Sequence, residues 1–196
     1  MALVSCTTMV ATSALFMGWA LGAPGGPPNT PPGQRFKLEE ATIASIHGAF
    51  KTNQLTCQKL VQLYIDRIDA YDLQGPSLRS IITVNPQAMA TAADMDQQYR
   101  RRPRSVGPLH CIPVILKDNY NTNDMPTTGG NITLIDSIPP EDAFTVQRLR
   151  DAGALILAKA NMTEFARGGT SISGLAGQVL NPYDLTRTAG GSRGDN

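Results

Sequence analysis

Leu109 to Leu116 reads Leu-His-Cys-Ile-Pro-Val-Ile-Leu, closed by Lys117 and Asp118. The run is apolar, β-branched and of strand length, so it predicts a β-strand inside a sheet. Pro113, which has no amide proton for a ladder, demands an edge position or a bulge. Outward from this run the pattern alternates. Ser80 to Val84 (SIITV) is a second short β-branched strand, and Asn85-Pro86 supplies a cap and first-turn pair for a helix running towards Arg101. Asp142 to Asp151 is helical, acidic at its start and closed by Gly153, and Ala154 to Ala158 (ALILA) is another buried strand. Upstream, Ile43, Ile46 and Phe50 recur at helical steps within Leu38 to Phe50, with Glu39 and Glu40 at its start. Thr56 caps a second helix whose stripe is Leu60, Tyr64, Ile68 and Tyr71. Strands alternating with helices predict an α/β layered fold, helices flanking a largely parallel sheet.

Composition narrows the function. Seventeen Lys+Arg against 16 Asp+Glu leave a net charge of +1, without the basic surplus of a nucleic-acid binder. The one dense basic patch, Arg100, Arg101, Arg102 and Arg104, has no aromatic platform beside it and reads as a solvated helix end, so no nucleic-acid partner is expected. At 41% hydrophobic the chain can bury a sizeable core, which excludes a disordered segment. No ligand-spaced cluster and no nucleotide motif occurs, and neither metal nor cofactor is expected.

The first charged side chain is Arg35, preceded by the apolar stretch Met9 to Leu21. That stretch is too short for a stable membrane span and suits a signal-peptide core, although its n-region carries no Lys or Arg. Small residues at Ala20 and Gly22 place a cut near Gly22. The expected organisation is a signal peptide over residues 1–22, a Pro/Gly linker over 23–35 and a folded part over 36–196, which routes the chain to the secretory pathway. Cys6 leaves with the leader. Cys57 and Cys111 read as two separately buried thiols, a single bridge being the alternative. Asn131-Ile132-Thr133 and Asn161-Met162-Thr163 are glycosylation acceptors that matter only after export. His47 and His110 have no acidic partner in view and read as structural.

Reactive groups in such folds sit at strand ends and in the loops that follow. Lys117 ends the apolar run, and Asp118 should face the other way if the pleat continues. Desolvated by apolar neighbours, a lysine gives up preference for its charged form and becomes a general base. On position alone, however, a lysine that snorkels to solvent is the better reading. The loop Thr188-Ala189-Gly190-Gly191-Ser192-Arg193-Gly194 places glycines on both sides of a serine, so that successive amides can line a cavity into which the hydroxyl projects. A flexible linker would have the same composition.

Three ordered strings decide between these readings. Gly107-Pro108-Leu109-His110-Cys111-Ile112-Pro113-Val114-Ile115-Leu116-Lys117-Asp118-Asn119, followed by Pro126-Thr127-Thr128-Gly129-Gly130, resembles the lysine strand of the amidase signature hydrolases. Ala152 to Ala166 resembles the next block of that family, and Asn181 to Ser192 its approach to the Gly/Ser loop. The resemblance covers roughly Leu38 to Ser192. It implies an amidase-signature-like layered fold, a mixed sheet flanked by helices and incomplete at the C-terminus, together with a Ser-Ser-Lys triad for hydrolysing a small-molecule amide. Lys117 matches the base and Ser192 the bridging serine, with Gly190, Gly191 and Ser171 at the substrate pocket. The family's nucleophilic serine follows the bridging one by about two dozen residues, whereas the sequence ends four residues after Ser192. The 196 residues alone are therefore expected to be inactive.

Three positions depart from the family pattern. Arg193 and Asp195 stand where a second serine and a second glycine are usual, and Cys111 stands where glycine is common. The competing readings are a non-catalytic remnant and a secreted binding protein presenting Arg193-Gly194-Asp195 to a receptor. Oligomeric state is not legible in the sequence.

Overall fold

The computed structural model describes residues 35–190. The expected leader, the expected linker up to residue 34, Gly191, Ser192 and the Arg193-Gly194-Asp195 tripeptide lie outside the described residues.

Helix α1 (Ile43–Lys51) starts in a capping box: Thr42 Oγ1 accepts from the Ser45 amide and Ser45 Oγ from the Thr42 amide. Glu39 and Glu40 precede this cap, and no acidic residue occupies the first turn, contrary to the expected placement. Helix α2 (Cys57–Ile68) is capped by Thr56 as expected. It also has a second, distant cap. The Asp96 carboxylate, reaching over from α3 (Ala88–Arg101), accepts from the Cys57 and Gln58 amides at 2.7 and 3.1 Å, where the helix dipole favours negative charge. Leu60, Tyr64 and Ile68 meet the core. Tyr71 does not, because α2 widens into a π-helical turn (Asp69–Leu73) that leaves its ring exposed beneath the Arg67 guanidinium.

Strand β1 (Ile81–Val84) and β2 (Pro113–Lys117) flank β3 (Leu155–Ala160), which is buried along its whole length. β2 runs parallel to β3 and β1 antiparallel, so the sheet is mixed rather than largely parallel. Alternate β3 residues feed two cores. Leu155 and Leu157 pack with α1, α2 and α3 through Ile46, Phe50, Leu60 and Ala92, whereas Ile156 packs with Leu116, Met125 and with Val146 of α4 (Phe144–Asp151). Pro113 meets both of its conditions: β2 is a sheet edge, and its register shifts between Val114 and Ile115.

The deciding strand is shorter than its apolar run. Leu109 to Cys111 are turns docked on the end of α4, with the Leu109 and Cys111 amides donating to the Ala152 and Gly153 carbonyls at 2.8 and 2.9 Å. Glycine is required here, since a Cβ on Gly107 would collide with the Ala152 carbonyl, and Gly153 has a φ of +91°.

That turn also corrects the cysteine reading. Cys111 stands at φ 55°, facing the first residue of α2, and Cys57 and Cys111 form a disulfide with Cα atoms 5.7 Å apart. Sequence spacing could not reveal the pairing, because 54 residues separate the two. The bridge fastens α2 to the lead-in of β2. Replacing both cysteines by alanine is expected to cost roughly 2–4 kcal/mol, read as a lower urea midpoint. An unchanged midpoint contradicts a formed bridge.

Two hairpins complete the described chain: β4 (Ile172–Ser173) with β5 (Gly177–Gln178), and β6 (Leu180–Asn181) with β7 (Asp184–Thr188). Among the described residues no helix is long and apolar enough to cross a membrane.

Candidate active site

Lys117 ends β2 opposite Ala160 of β3. Ile115 is exposed, Leu116 buried, Lys117 half-buried and Asp118 fully buried, so the pleat sends Ile115 and Lys117 to one face and Leu116 and Asp118 to the other. Lys117 stands between two hollows. One, of about 460 Å³, runs over Tyr120, Thr145 and Leu149. The other, of about 370 Å³, is walled by Leu78, Ile81 and Ile115, by Val179, Leu180 and Pro182, and by Ala189. The second matters for chemistry. It joins the end of the lysine strand to the residue immediately before the Gly/Ser loop, bringing together segments 72 positions apart in the sequence.

Gly190 opens that loop at φ 107°. Its carbonyl accepts from the Ser171 hydroxyl at 2.7 Å, and the Ser171 amide donates to Thr163 Oγ1 at 2.8 Å. Ser171 is fully buried at φ 52°, so its hydroxyl contacts the loop backbone. Ser192 and Gly191 lie outside the described residues. His47 Nε2 lies 3.1 Å from the His110 carbonyl, and the His110 ring stacks on Tyr99. Burial, with His47 nearby, holds the His110 imidazole below its usual range.

Sequence reasoning missed Lys159. This β3 lysine is fully buried, and Nζ donates to the Tyr120 carbonyl (2.7 Å), the Pro126 carbonyl (3.2 Å) and Thr127 Oγ1 (2.9 Å). Asp118 Oδ1 faces it at 3.9 Å. Asp118 Oδ2 accepts from the Thr128 hydroxyl and from the Thr128 and Gly130 amides. Together they pin the segment that leaves Lys117. The signal was available: a lysine one residue beyond ALILA, and an aspartate predicted to face away from Lys117.

Burial lowers the Lys159 pKa from 10.5 to about 8, while Asp118, Asp124 and Asp142 partly offset the shift. Between those two values the unfolded chain binds more protons than the folded one, so this group makes stability rise with pH from about 8 to 10.5. Urea midpoints across that window should show the rise in the native protein and lose it in Lys159→Met. The same slope in both would contradict the assignment.

The fold and site define an α/β domain with a lysine at a strand end that shares a hollow with Ala189. The amidase family model matches residues 59–194, and the chain belongs to that family. A glutamyl-tRNA(Gln) amidotransferase subunit of Alkaliphilus metalliredigens is 40% identical over 158 residues, covering 81% of this chain and 32% of that protein. The native peptide amidase of Stenotrophomonas maltophilia is 40% identical with a TM-score of 0.75, covering 80% of this chain and 33% of the other. An amidase family protein of Bacillus anthracis is 35% identical with a TM-score of 0.75, covering 81% of this chain and 32% of the other. The chain thus spans about a third of the length of the relatives it matches.

Proposed function

We propose that the full-length protein hydrolyses the C–N bond of a small-molecule carboxamide through an acyl-enzyme, with Lys117 as base and Ser192 as the bridging serine. The observation that carries this reading is the shared cleft: Lys117 and Ala189 both wall it, and Ala189 lies three positions short of Ser192. A serine hydroxyl is too weak an acid to attack an amide unaided and needs an adjacent base. The Lys117 amine takes the proton from Ser192, which takes it from the nucleophile. The leaving amine receives it as the acyl-enzyme forms, and water reverses the relay. Gly190, Gly191 and Ser171 belong to the substrate pocket in this reading, and the backbone donors for the developing oxyanion lie with the nucleophile.

The nucleophile's position lies beyond Asn196, so a fluorophosphonate probe should label a serine in the full-length protein and leave the 196-residue chain unlabelled. Labelling of the 196 residues alone would contradict the triad assignment.

The same reading includes export. The apolar leader suggests it, and the Cys57 to Cys111 disulfide supports it, because such bridges persist in oxidising compartments.

A further inference from the structure

Two glycosylation acceptors are left over by the amide chemistry, and their surroundings differ. Asn161, just past β3, is 1% exposed, and Nδ2 donates to the carbonyls of Arg79 (2.8 Å) and Gly177 (3.2 Å). Both amide hydrogens are committed, so a sugar there would break one bond and force the buried strand end apart.

Asn131 is half-buried at the head of the surface turn Ile132–Leu134. Its Oδ1 accepts from the Thr133 amide (2.9 Å) and hydroxyl (2.6 Å), and Nδ2 donates to Glu164 Oε2 (3.1 Å). That donation uses one of two hydrogens, so a nitrogen substituted once keeps the hydrogen that Glu164 takes.

We propose that Asn131 is an N-linked glycan acceptor. The inference rests on the export reading. The donor is a lipid-pyrophosphate-linked oligosaccharide. Asn131 Nδ2 forms a bond to the sugar's C1 as the C1–O bond to pyrophosphate breaks. The lipid pyrophosphate departs with the electron pair, and one Nδ2 proton passes to a base on the transferase.

The test expresses the full chain in a eukaryotic secretory host in two versions, one with its own leader and one with an established signal peptide ahead of Ala23. Luminal and secreted chain is run on gels before and after peptide N-glycosidase, and the Asn-to-Asp conversions are mapped by mass spectrometry. The expected result is modification at Asn131, lost in Asn131→Gln and Thr133→Ala and kept in Thr133→Ser and Asn161→Gln. Soluble material should carry no sugar at Asn161. Failure of the native leader, with modification intact under the replacement, sinks export alone. An unmodified Asn131 in the lumen, or soluble chain modified at Asn161, overturns the acceptor assignment.

Discussion

Lys117→Met in the full-length protein should lower kcat for amide hydrolysis by about 10²–10⁴, the usual worth of a positioned acid–base group. Methionine keeps the apolar stem that lies against the cleft and removes the amine. Lys117→Arg discriminates base from charge. The guanidinium remains protonated throughout the accessible pH range and cannot accept the serine proton, and this variant should be as inactive as Lys117→Met. An active Lys117→Arg would mean that Lys117 contributes charge and not proton transfer. Unchanged kcat in Lys117→Met would remove it from the chemistry.

The largest effect on stability is expected at Lys159. Lys159→Ala should cost about 3–5 kcal/mol, the range for breaking one partner out of a buried ion pair. Three acceptors lose their donor at once, namely the Tyr120 and Pro126 carbonyls and Thr127 Oγ1, and Asp118 loses its facing cation. Lys159→Met fills the volume without replacing a single hydrogen bond, so it should recover only the packing share. Chemical denaturation reads the difference. A loss below about 1 kcal/mol in Lys159→Ala would place it with exposed pairs and deny the brace. Because Asp118 is the residue after Lys117, the brace also predicts that activity falls with stability in these variants.

Sequence reading found the elements whose signal is local. The apolar periods of α1 and α2, the Thr56 cap and the β-branched runs each carry their own evidence within a few residues, and the structure places helices and strands there. Pro113 was legible because a missing donor restricts where a strand can lie. What escaped depends on distant partners. The Asp96 cap on α2, the Cys57 to Cys111 bridge and the Lys159 brace each join residues tens of positions apart, and no periodicity encodes which of them meet. The start of β2 was misjudged for a related reason. Leu109 and Cys111 are apolar enough for a strand, yet their amides are claimed by the end of α4. The two-residue strands β4, β5 and β6 carry too few residues to show an alternation. Of the candidate site, the place of Lys117 at the end of its strand was readable and its role came from the family resemblance, whereas the contact between Ser171 and the Gly190 carbonyl needed coordinates.

The most direct test is a crystal structure of the full-length protein with a slow amide inhibitor bound. A separation between Lys117 Nζ and Ser192 Oγ of about 3.2 Å or less, or one bridging water, is the result the proton relay predicts. The two groups facing different hollows, with bulk solvent between them, would contradict it.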